Sequence, residues 1–122
     1  MERVFFIIAS LFGFLSVAFG AFAAHGLKGH LNPQQLATFE VGARYQMYHA
    51  LALAATALAY AKWPDPLFIT GGWLFIAGTL MFSCSLYALS FHSVRWVGII
   101  TPLGGLGLMG GWLCLAWAVW RQ

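Results

Sequence analysis

The chain reads as four long apolar runs separated by three polar breaks. The runs extend from about Val4 to Ala24, Tyr45 to Ala61, Leu67 to Phe91 and Trp96 to Trp120. A membrane-spanning helix needs about 20 apolar residues, with a range of roughly 17–25. All four runs are read as spans, and helices suit lipid because they satisfy their own backbone groups. The breaks KWPDP and HSVR are short, so they make neighbouring helices antiparallel. The expected fold is all-α: one domain over residues 1–122, a polytopic four-helix up-down bundle with helices at 4–24, 33–61, 67–91 and 96–120.

The break between the first two runs is longer and carries helix-start signals. Asn32 can cap and Pro33 suits a first helical position. No breaker follows until Pro64, which predicts one helix from Pro33 to Ala61. Its first three turns are polar and are expected at or above the membrane surface. Glu40 and Arg44, four apart in the favourable order, are expected to pair.

Composition supports lipid as the solvent. Of 122 residues, 61% are hydrophobic and 7% charged, against about 25% charged in soluble domains. The net charge of +3 comes from Arg3, Lys28, Arg44, Lys62, Arg95 and Arg121, scattered singly. Nucleic-acid binding wants a clustered basic face and is set aside. Arg3 supplies the charge of a signal peptide, and Ala21-Phe22-Ala23 resembles a cleavage site. The first run is longer than a signal core, so retention is expected. Basic residues tie between the two membrane sides; discounting a paired Arg44 places both termini in the cytoplasm. Trp63, Trp117 and Trp120 mark one interface and Trp96 the other.

Small residues recur at helix-packing spacing: Ser16, Gly20 and Ala24; Gly71, Gly78 and Ser85; Thr101 and Gly105; Gly107 and Gly111. Such faces let helices approach closely in lipid. Gly105, Gly107 and Gly110 spell GxGxxG, but inside a span with no acid after it, so a dinucleotide site is excluded.

Polar residues gather on the side where the first and third runs end. His25, Glu40, Arg44, Tyr45, His49, Tyr87 and Thr101 make the expected one-sided pocket. His49 stands about 6 Å deeper than Tyr45, one helical turn on. An ionisable residue there is a ligand or proton site, or a neutral ring fixing helix packing. His30 and His92 are expected in solvent. No metal site is expected, because His25 and His49 give two ligands where zinc takes three or four. Cys84 and Cys114 sit singly in apolar runs. No Ser-His-Asp set assembles, so no enzyme is expected.

The segments GAFAAHGL (20–27), TFEVGARYQMYHALAL (38–53), LMFSCSLYAL (80–89) and TPLGGLGLMGGW (101–112) resemble domain-of-unknown-function family 423. That family includes the transmembrane protein 256 proteins of animals. Ala23 departs from the glycine common in the family but stays small. The resemblance implies a small four-helix integral membrane protein of a bacterial inner membrane or a mitochondrion, with no assigned activity. It draws notice to His25, Arg44, Tyr45, Gln46, His49, Ser83, Ser85, Tyr87, Thr101 and Pro102. Pro102 removes a backbone donor, and Thr101 is expected to serve the carbonyl this frees.

The expected function is a non-enzymatic ligand- or lipid-binding protein, or an accessory subunit of a larger membrane complex or homo-oligomer. A small oligomeric transporter or channel is one alternative. A haem or redox subunit is another; no cofactor is assigned, with haem and quinone left open.

Overall fold

The computed structural model describes residues 1–92 and 95–122. Ser93 and Val94 of the HSVR connection lie outside the described residues. Four helices follow one another: α1 (Glu2–His25), α2 (Pro33–Lys62), α3 (Pro66–Phe91) and α4 (Val97–Trp120). Each expected helix is present, within a few residues of its expected ends.

Local chemistry sets the boundaries. Asn32 and Gln35 form a capping box at the start of α2, each side chain bonding the other's backbone N–H at 2.8 and 3.0 Å. Asp65 caps α3 by accepting from Leu67 N–H at 2.9 Å. Between α1 and α2 the chain turns through Gly29, whose φ of 94° is open to glycine and costly for other residues.

Helices pack in chain order, α1 on α2, α2 on α3 and α3 on α4. Side chains extend this order across the bundle. Phe5 of α1 reaches α3, where its ring lies over Gly72 and 5.7 Å from Trp73. Trp112 of α4 reaches His49 of α2. The main core gathers Phe5, Leu53, Phe75, Ile76 and Leu108 from all four helices.

By length and composition α1, α3 and α4 can cross a membrane, but α2 is not among them. Four spans were expected from apolar length, and α2 is the helix whose composition departs from the other three. Gln46, His49 and Thr56 lower the apolar character of α2, and all three are buried. Gln46 is partnered from α1 and α3, and His49 is covered from α3 and α4, so α2 itself need not be uniformly apolar. Near its start Phe39 is buried against Ala23 and Leu27, with the Tyr87 ring tilted against it and the Phe91 ring edge-on.

The α3–α4 contact is a glycine seam. Gly71 faces Gly111, and Gly78 faces Gly104. A Cβ on Gly104 would lie 2.5 Å from the Phe82 backbone nitrogen. Gly104 was absent from the expected packing set, whereas Gly105 and Gly107 were in it. A Cβ on Gly105 would meet only the Phe82 ring at 3.7 Å, and one on Gly107 only ordinary contacts from 3.5 Å. On α1, Ser16 packs as expected, but Gly20 has nothing within 4 Å of an added Cβ and Ala24 is exposed. These two do not join the packing within this chain.

At the other end, Asp65 ties the last residues to the α2–α3 turn. Arg121 donates to both its carboxylate oxygens, through Nε at 2.7 Å and through Nη2; Gln122 adds a bond at 3.0 Å. The Arg121 guanidinium first, then the Leu67 N–H, holds the Asp65 carboxyl well below the usual carboxylate range.

Two outcomes follow. Gly104→Ala should destabilise the detergent-solubilised protein by about 1–3 kcal/mol, the usual overpacking cost, while Gly105→Ala changes little; chemical unfolding monitored by circular dichroism measures both. The Asp65 clamp has a depressed folded-state pKa. Its stabilisation is therefore complete above the ordinary carboxylate value of about 4 and is lost as pH falls below it. Melting temperatures taken from neutral to acid pH should show that loss, and Asp65→Asn should make the acid decline shallower.

Candidate functional site

The expected pocket residues do not share one cavity. His25 ends α1 and is exposed, where a histidine suits the negative end of the helix dipole. His30 and His92 are exposed as well. Glu40 and Arg44 are exposed, and among the described residues they form no ion pair. The expected pair is corrected: an exposed pair of this kind is worth only about 0.3–0.5 kcal/mol, too little to fix two long side chains.

Tyr87 belongs to a polar cluster between α1, α2 and α3. Its hydroxyl donates to Gln46 Oε1 at 2.7 Å, and Gln46 Nε2 donates to the Phe12 carbonyl at 2.9 Å. Ser16 donates to the Ala43 carbonyl at 2.7 Å, and Ser83 donates to the Gly42 carbonyl at 2.8 Å. Gly42 makes room for this: an added Cβ would lie 2.8 Å from the Tyr87 ring. These bonds fasten α2 on both flanks and level Gly42–Ala43 with Ser16 and Ser83.

Thr101 instead meets Ser85 of α3, their hydroxyls 2.5 Å apart, while Ser85 also donates to the Phe82 carbonyl. The expected service of Thr101 to the carbonyl freed by Pro102 is replaced by this helix-to-helix bond.

Tyr45 and His49 do come together. With Tyr48, Phe82, Gly105, Leu108, Met109 and Trp112 they line a groove of about 560 Å³ between α2 and α4, floored by α3. His49 is 5% exposed. Its Nδ1 lies 2.8 Å from the Tyr45 carbonyl, and its Nε2 lies 3.1 Å from the Trp112 indole N–H. An indole can only donate, so Nε2 accepts and Nδ1 carries the proton. The ring is a neutral imidazole with both nitrogens engaged. Sequence reasoning missed Trp112 and, apart from the family resemblance, Gln46. Both carry a signal: Trp112 is a tryptophan in the middle of a span rather than at an interface, and Gln46 is an amide in an apolar run.

Chemically the groove offers aromatic walls, Tyr45 and Tyr48 among them, and apolar depth. Among the described residues no three His, Cys, Asp or Glu side chains stand close enough to hold a metal ion.

A bundle of long apolar helices fastened by buried polar bonds, with a lateral groove, defines a small α-helical integral membrane protein. The chain belongs to the family described as protein of unknown function (DUF423), whose model matches residues 19–105. The UPF0382 membrane protein YwdK of Bacillus subtilis is 40% identical, over 93% of each chain. The UPF0382 membrane protein of Haemophilus influenzae is 39% identical, over 100% of this chain and 98% of its own. The UPF0382 inner membrane protein YgdD of Escherichia coli K12 is 34% identical, over 91% and 85%. No solved structure matches the chain.

Replacing Gln46 with leucine leaves the Tyr87 hydroxyl without its acceptor and removes the interhelical bond to the Phe12 carbonyl, which keeps its own helical partner. The expected loss is about 1–3 kcal/mol, larger than for Trp112→Phe, which takes a single bond from the Nε2 of the buried His49. Unfolding titrations of both variants check the ranking.

Proposed function

We propose that this protein is a non-enzymatic lipid- or ligand-binding accessory protein of its membrane, with the α2–α4 groove as its binding site. The groove itself carries the reading. Its volume lies within the roughly 300–1,000 Å³ of small-molecule sites, and its lining is aromatic and apolar, from Tyr45 and Tyr48 to Trp112. A transporter reading has less support. The buried polar side chains Ser16, Gln46 and Ser83 spend their bonds on backbone carbonyls of neighbouring helices. Haem ligation by His49 would require breaking its bond to Trp112 or to Tyr45.

Filling the groove is the direct test. Gly105 accepts a Cβ without a backbone clash, so the rest of a leucine side chain projects beside Phe82 and Met109. Native mass spectrometry of the protein, released from its own membrane in mild detergent, should show a bound non-protein mass. Gly105→Leu should release the protein bare with unchanged helicity. A bare wild-type protein, or the same bound mass on the variant, would contradict the reading.

Orientation belongs to the same proposal. Discounting ion-paired cations, as in the sequence argument, now removes Arg121 rather than Arg44. Lys28, Arg44 and Arg95 then outweigh Arg3 and Lys62, which turns the α1–α2 and α3–α4 connections toward the cytoplasm and the termini away from it. This is the reverse of the orientation expected from sequence. Alkaline phosphatase fused after Gln122 should be active, and green fluorescent protein at the same place dark; the opposite pattern puts the termini inside.

A further inference from the structure

The charged stripe beside the groove is unexplained by helix packing. Glu40, Arg44 and Tyr48 recur every fourth residue along α2 and so share a face, and Tyr48 lines the groove. Arg44 follows Ala43, which is level with Ser16 of α1. Its other neighbour in depth is Ser83 of α3, bonded to Gly42. Both serines stand more than two turns before the loop-side ends of their helices, so Arg44 lies roughly 12–14 Å below those ends at the helical rise. An exposed arginine at that level is costly in lipid unless an anion joins it. Among the described residues no carboxylate lies within salt-bridge reach of it. A guanidinium matches phosphate in geometry as well as charge.

Glu40 stands one turn, about 6 Å, nearer the helix ends. The stripe is therefore acidic outside, basic inside and aromatic beside an apolar groove. We propose that it reads the headgroup of a zwitterionic phospholipid: Arg44 takes the phosphate, Glu40 takes the outer primary ammonium, and one acyl chain lies in the groove between Leu108, Met109 and Trp112. The order of charges supports this assignment, because in such a lipid the phosphate lies nearer the chains than the ammonium. It also gives Glu40 and Arg44 partners other than each other. A glycerol headgroup would leave Glu40 facing no cation, and a quaternary choline offers it no N–H to accept. The assignment rests on the groove reading and adds the identity of the occupant.

The test is a competition on the full chain. The protein is exchanged in detergent micelles containing equal amounts of phosphatidylethanolamine, phosphatidylglycerol and phosphatidylcholine with identical chains, and its adducts are counted by native mass spectrometry. The phosphatidylethanolamine adduct should dominate. Glu40→Gln should lower its ratio to phosphatidylglycerol roughly two- to fivefold, the worth of one exposed ion pair. Arg44→Gln should weaken all three adducts; both residues are exposed, and circular dichroism confirms the folded state of each variant. Phosphatidylglycerol dominating on the wild type, a ratio unmoved by Glu40→Gln, or adducts unmoved by Arg44→Gln would each overturn the headgroup assignment while leaving the groove in place. Adducts that persist on Gly105→Leu would overturn the groove and this assignment with it.

Discussion

The close approach of α3 and α4 is the constraint from which the groove follows. Gly78 and Gly104 bring the two backbones together where any side chain would collide with main-chain atoms. Lipid tails are as apolar as the helix surfaces, so hydrophobic burial drives little association in a bilayer. Close backbone packing and hydrogen bonds must do that work. With α4 drawn onto α3, it contacts α2 through long side chains, Trp112 and Leu108, rather than through its backbone. The space left between α2 and α4 is the groove.

On the opposite flank α2 is held by polar bonds rather than by glycines alone. The carbonyls of Gly42 and Ala43 accept from Ser83 and Ser16, on helices to either side. Gln46 joins Phe12 and Tyr87 in the same layer. Each bond fixes depth as well as contact, because a carbonyl accepts at one height along its helix. The bonds therefore set the level of Arg44, which no local feature of α2 would place on its own. The same layer aligns Tyr45 and His49 with Phe82 and Trp112, and so shapes the groove's wall.

The helices were legible in the sequence because apolar length and turn chemistry are local properties. Asn32, Pro33 and the KWPDP break mark their own boundaries. Packing partners were less legible. Gly71 and Gly78 were identified by spacing, but Gly104 was passed over for Gly105, since spacing alone does not say which of two adjacent glycines faces α3. The pocket was only partly legible. Depth placed Tyr45 and His49 together, and they line one groove, yet depth cannot tell which helix faces which, so Tyr87 and Thr101 were grouped with them when they turn to other partners. The Glu40–Arg44 pair was inferred from spacing that permits it; spacing does not supply the energy to hold it. The Asp65–Arg121 clamp joins a turn to the far terminus, a pairing that only the folded topology reveals.

The central claim is that the α2–α4 groove is a specific lipid site rather than ordinary lipid-facing surface. Met109 lines the groove and Leu106 does not, although each is 63% exposed on α4. A photoreactive amino acid placed at each position, and illuminated in native membranes, compares the two at equal exposure. The groove account predicts that position 109 captures one lipid class well above its share of the bilayer, while position 106 captures lipids in bulk proportion. Equal, bulk-like capture at both positions would contradict it.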